Sequence, residues 1–125
     1  MAEYRFKKLI VWQRAMELAT EVNQLTKGMK GRGSAALADQ MRRAAMSVPA
    51  NIAEGNGRSH RAEYLRFLSI ANGSLAELET QLDLVSRLHF LTPDALAPTL
   101  GLVSQTGRLL TGLIQALRKS AAPAP

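Results

Sequence analysis

Apolar residues recur at alternating spacings of three and four along four separate stretches of the chain, and this rhythm constrains the fold more than any other feature. On a helix of about 3.6 residues per turn the spacing gathers side chains into one stripe, whereas a half-buried strand requires alternation with period two. The first stripe is Val11, Ala15, Leu18, Val22, Leu25 and Met29, ended by Gly28, Gly31 and Gly33. Ser34 stands where an N-cap is wanted, and Leu37, Met41, Ala44, Val48 and then Asn51 or Ile52 carry a second stripe to Gly55 and Gly57. Ser59 is placed to cap the longest stripe, Tyr64, Leu68, Ala71, Leu75, Leu78, Leu82 and Val85. Thr92-Pro93-Asp94 is a strong helix start: the hydroxyl accepts from an orphan amide, proline needs no donor, and the carboxylate suits the positive helix end. The fourth stripe is then Leu96, Leu100, Val103, Gly107, Leu110, Ile114 and Leu117.

No segment alternates with period two, so the expected class is all-α. Four amphipathic helices joined by short links bury their stripes most simply in an antiparallel up-down-up-down four-helix bundle. The chain of 125 residues fits one such domain, expected over residues 1–120, with a proline- and alanine-rich tail at 121–125 that frays. Pro49 and Pro98 interrupt the helical patterns, and a kink is expected near Met46–Pro49 because proline removes one backbone hydrogen bond and crowds the preceding turn.

The apolar surface exceeds what one bundle of this size needs. Phe67, Ile70, Leu84, Leu88 and Leu91 lie off the main stripe of the third helix, as do Leu102, Leu109, Leu113 and Ala116 on the fourth. At about 25 cal/mol per Å² such surface is better buried between subunits than wetted, which predicts a homo-oligomer; broad helix faces are the alternative. Ser69, Asn72, Gly73, Ala76 and Thr80 form a small-residue stripe on the third helix. Gly73 costs about 1 kcal/mol there unless a neighbouring backbone uses the gap.

Charge is unevenly placed. Lysine and arginine total 16 against 10 acids, and the whole excess of +6 lies at or before Arg66. Such a balance favours polyanions through counterion release, although many basic proteins bind no nucleic acid. In up-down-up-down order, one end of the bundle collects Arg5, Lys7, Lys8, Arg58, Arg61, Arg66, Arg118 and Lys119 against Glu3, Glu54 and Glu63. The other collects Lys27, Lys30, Arg32 and Arg87 against Asp83 and Asp94. Helical spacing pairs Glu54 with Arg58, Glu63 with Arg66, Asp39 with Arg43 and Asp83 with Arg87, so part of this charge reads as solvated surface. Lys7, Lys8, Arg58, Arg61, Arg118 and Lys119 are the candidate contacts to RNA or DNA phosphates. Arg42, Arg43, Asn51 and Glu54, with Glu77 and Glu79 as acceptors, are candidates for an ion network that fixes helix or subunit register. Trp12, the lone tryptophan, is expected to anchor the first helix.

Catalytic constellations fail. The chain has no cysteine, and its two histidines, His60 and His89, flank one helix at roughly 44 Å, counting about 1.5 Å per residue. No Glu-x-x-His occurs, and Gly55-Asn56-Gly57 lacks the lysine and serine that complete a phosphate loop. Asn72-Gly73-Ser74 matches a glycosylation sequon inside a helical pattern, without a secretion signal to accompany it. A non-enzymatic protein without metal or cofactor is expected. No apolar run reaches membrane-spanning length, and the absence of cysteine and of a signal peptide points to the cytoplasm.

A family resemblance joins these features. Gln40-Met-Arg-Arg-Ala-Ala-Met-Ser-Val-Pro-Ala-Asn-Ile-Ala-Glu-Gly-Asn-Gly-Arg58, followed by Tyr64-Leu-Arg-Phe-Leu-Ser-Ile-Ala-Asn-Gly-Ser-Leu-Ala-Glu-Leu-Glu-Thr80, resembles the four-helix bundle proteins named for intervening sequences of bacterial 23S ribosomal RNA. Leu9-Ile-Val-Trp-Gln-Arg-Ala-Met-Glu-Leu18 is similar to that family's first helix. The resemblance implies a cytoplasmic bacterial bundle that assembles into a homopentamer. The family is also similar to accessory proteins of diversity-generating retroelements, which implies nucleic acid or a nucleic-acid-processing protein as partner. Pro98, Gly101, Gly107 and Gly112 depart from the family's usual fourth helix.

Overall fold

The computed structural model describes residues 5–120, which form four helices preceded by a short 3-10 turn, Arg5–Lys8. They are α1 (Ile10–Thr26), α2 (Ser34–Asn56), α3 (Arg61–Arg87) and α4 (Pro93–Ser120). Glu3 and the tail at 121–125 lie outside the described residues. The links at 27–33, 57–60 and 88–92 are the reason neighbours run antiparallel. Even seven extended residues reach about 25 Å, short of the roughly 35 Å length of a 23-residue helix such as α2. Side-chain heights agree. Ser47 and Ser74 Oγ atoms are 2.8 Å apart, while eight residues further along α2, Gly55 lies against Tyr64 and Phe67. On the other flank of α3, Leu75 touches Gly107 of α4. α1 packs on α2 and α4, and α3 packs on the same two helices, so α1/α2 and α3/α4 form opposite sides of a square bundle.

The stripes become the core. Leu18, Val22, Met41, Val48, Ile52, Leu68, Leu78, Val85, Leu96 and Leu110 are completely or almost completely buried. Each such side chain contributes about 1.5–3 kcal/mol relative to exposure. α2 and α4 continue unbroken through Pro49 and Pro98. Two expected caps are corrected. α2 is entered through Gly33, whose φ of 85° suits glycine, with Ser34 inside the helix and buried. α3 is entered through extended His60, not Ser59, with no side chain accepting from its first turn. Thr92 does cap α4: its hydroxyl accepts from the Ala95 amide at 3.2 Å. Thr92→Ala should lower stability by about 1 kcal/mol, read as a shift in the thermal unfolding midpoint.

α4 is rotated from its expected phase. Leu100 is 43% exposed and Gly107 half-buried, whereas Thr99 and Thr106 are fully enclosed. Leu102, Leu109 and Leu113 also pack against the core, and satisfying this second line turns the helix by part of a residue step. Their burial, with that of Phe67, reduces the surplus apolar surface inferred from sequence. Ile10, Met16, Met46, Ile70, Leu84, Leu88 and Leu100 remain exposed.

Candidate nucleic-acid interface

The end of the bundle where α2 passes into α3 is built around a close backbone approach. A Cβ on Gly55 would stand 2.8 Å from the Phe67 Cβ and 3.0 Å from a ring carbon of Tyr64, so only glycine lets the helices meet this tightly. The approach sets Phe67 beneath two cations: the Arg58 guanidinium carbon is 4.9 Å and that of Arg66 4.6 Å from its ring centroid. Both distances suit cation–π attraction, and a guanidinium stacked on a ring keeps its in-plane N–H groups available at the edge. Arg58 also donates to Glu54 at 2.8 Å, as its helical spacing predicts. Arg66 pairs with Phe67 and not with Glu63, because the neighbouring ring offers it a surface to lie on.

Beside this cluster is a shallow depression of about 330 Å³ edged by Arg5, Arg58, His60 and Arg61. Tyr64 lines it too, its hydroxyl accepting from Asn56 Nδ2 at 3.1 Å. The uncapped first turn of α3 opens at the same place, adding the partial positive charge of free helix amides. The N-terminal turn is held against α1 by Gln13 Nε2, which donates to the Lys7 carbonyl at 2.9 Å, and by an edge-on Phe6–Trp12 contact at 5.3 Å. Trp12 thus anchors the turn carrying Arg5, Lys7 and Lys8 as well as the start of α1. Arg118 and Lys119 arrive in the exposed last turn of α4. Among the described residues, eight cations converge here against Glu54 and Glu63. The opposite end is weaker, and there Arg87 is already paired with Asp83 at 3.2 Å.

The six candidate phosphate contacts, Lys7, Lys8, Arg58, Arg61, Arg118 and Lys119, therefore share one end of the fold. Sequence reasoning did not recognise Phe67 and Tyr64 as part of it. The Arg66-Phe67 adjacency was the available signal, but Phe67 looked like one more member of an apolar line. Two histidines so far apart remain at opposite ends of α3. No helix among the described residues is long and apolar enough to cross a membrane.

The proposed ion network does not close within one chain. Arg42 turns to α1, donating to Thr26 Oγ1 at 2.8 Å, and pairs with Asp39, which displaces the expected Asp39–Arg43 pair. Asn51 Nδ2 donates to the Ser47 carbonyl at 2.8 Å, and Glu77 accepts from Gln81 at 3.2 Å. Arg43 and Glu79 have no ion pair or hydrogen bond among the described residues. They lie on different flanks of the bundle, too far round to meet.

No curated protein matches this chain. A crystal structure of a protein of unknown function from the S23 ribosomal protein family of Bacteroides thetaiotaomicron superposes with a TM-score of 0.76, covering 84% of this chain and 98% of that one. At 24% identity that likeness shows the shared bundle and nothing finer. The model of the 23S rRNA-intervening sequence protein family matches residues 7–112, from the basic N-terminal turn through most of α4. By the extent of that match, the chain belongs to the family of 23S rRNA-intervening sequence proteins.

Proposed function

We propose that this protein is a non-enzymatic, cytoplasmic, self-associating bundle that binds RNA through its cationic end. The observation that carries the reading is the convergence of Arg5, Arg58 and Arg61 around one depression, beside two guanidiniums held on Phe67. Holding arginines on a ring before the ligand arrives lowers the ordering cost of binding, and displacement of counterions from phosphates supplies the affinity. In a cyclic homo-oligomer, for which the family resemblance suggests five copies, the same end of every copy faces one side of the assembly. Binding of a single-stranded RNA should therefore weaken steeply with salt. For about four or five phosphate contacts the slope of log affinity against log salt is expected near −3. Measured by fluorescence anisotropy, a flat profile or absent binding would reject the reading.

A second reading is a structural or protein-interaction ring with no nucleic-acid role. It is favoured by the exposed Met46, Leu84 and Leu88, which no polyanion requires. A partner recovered by pull-down that survives nuclease treatment supports it.

A further inference from the structure

The α3/α4 side of the bundle carries a long trough. Two depressions of about 570 and 590 Å³ share Ala76, Glu79 and Leu100 in their walls, so they are halves of one feature. Gly112 stands in its wall, and there, as at Gly73 and Gly101 elsewhere on the same two helices, an added methyl group would meet nothing within 4 Å. Helix interiors disfavour glycine, and nothing among the described residues uses the space. The opposite α1/α2 side has a depression of its own, about 500 Å³, with Arg43 and Met46 in its wall; Met46 is 57% exposed, one turn from Arg43, and Met16 on α1 is 42% exposed.

The heights of these features coincide. Ser47 and Ser74 face each other across α2 and α3, so in antiparallel helices Met46 stands level with Leu75 and Ala76, and Arg43 level with Leu78 and Glu79. Leu75 in turn marks the height of Gly107 on α4. A second copy set beside the first, axes parallel and without sliding, brings Met46 over the Ala76–Gly107 part of the trough. The same placement brings Arg43 to Glu79, a cation and a carboxylate that have no ion pair or hydrogen bond among the described residues. Of the neighbouring charges, Arg42 is engaged with Asp39 and Asp83 with Arg87, while Arg108, in the same trough wall as Glu79, donates to Ser104 Oγ at 2.7 Å.

We propose that the α3/α4 trough receives the α1/α2 side of a second copy of this chain, with Arg43 of one copy paired to Glu79 of the next. The proposal rests on the self-association put forward above and names its two faces. The contact is heterologous, each copy offering one face and receiving the other, which is how cyclic assemblies are built. The fit joins the exposed Met46 to small residues, and a guanidinium to a carboxylate at matching height, neither with an ion pair among the described residues, so the occupant is this chain itself.

The test is a charge swap read by sedimentation velocity on the full chain, with far-UV circular dichroism confirming that each variant keeps its helices. Arg43→Glu and Glu79→Arg should each weaken self-association at least tenfold, moving the population toward the 13.6 kDa monomer. The double variant should assemble again. Ala76→Arg, which fills the trough from an exposed position, should dissociate the assembly independently of that pair. Failure of the double variant to recover would overturn the proposal. So would Arg43→Glu assembling normally while Glu79→Arg does not, since the trough would then meet its own copy. A monomeric wild type would remove self-association itself, and assembly indifferent to all four variants would remove only these faces.

Discussion

Replacing Arg5, Arg58 and Arg61 together by glutamate should lower RNA affinity by about 100-fold or more and flatten the salt slope by roughly two units. The three side chains edge one depression at the cationic end. Their reversal leaves five cations facing five carboxylates among the described residues there, so net attraction at that end disappears. All three are exposed, and Arg5→Glu and Arg61→Glu should each cost the fold no more than about 0.5 kcal/mol. Arg58 loses its 2.8 Å pair with Glu54, but exposed pairs of this kind contribute only about 0.2–1 kcal/mol. The control is the same change in formal charge at the other end, Lys27, Lys30 and Arg32 to glutamate. If both triple variants lose affinity equally, net charge and not a built interface governs binding, and the assignment of the site fails.

The second large effect is steric. Gly55→Val places atoms where a Cβ already comes within 2.8 Å of the Phe67 Cβ and 3.2 Å of the Tyr64 carbonyl. Neither neighbour is the free end of a flexible chain, so α2 and α3 must separate. Overpacking of this sort costs about 3 kcal/mol, a large share of the roughly 5–15 kcal/mol that holds a domain together. The thermal midpoint should fall by about 10 °C. Gly101→Ala supplies the contrast, because its added methyl meets nothing and helix propensity then improves by up to about 1 kcal/mol. A Gly55 variant as stable as the parent would show that the helices accommodate the contact. Because Phe67 carries Arg58 and Arg66, the same separation should also loosen the arginines and weaken RNA binding without changing any charge.

The sequence made the bundle legible because its main stripes are long and their spacing belongs to one kind of element. Val11 to Val22, Met41 to Ile52 and Leu68 to Val85 went inside as their periodicity required. The phase of α4 was harder to read. Leu96, Val103 and Leu110 suit two adjacent phases, and choosing between Leu100 and Thr99 depends on what α4 packs against. Local hydrophobicity favoured the leucine, but the helix as a whole gains more by covering Leu102, Leu109 and Leu113. Caps failed for a related reason: Ser34 and Ser59 are good capping residues, but the chain bends at Gly33 and His60. The cationic end followed from topology plus charge. Its internal order did not, because the stacking of Arg58 and Arg66 on Phe67 depends on the Gly55 approach, a contact between helices that no single-helix pattern encodes.

The rotation of α4 has a thermodynamic consequence. It places the Thr99 and Thr106 hydroxyls in an apolar interior with no hydrogen-bond partner among the described residues. An unmatched buried polar group forfeits about 1–3 kcal/mol, and Gly101, Gly107 and Gly112 weaken the same helix from within. The four staves of this barrel are therefore unequally glued: α3 carries one such unmatched oxygen, Gln81 Oε1, against two on α4, and α4 is the one that opens at least cost.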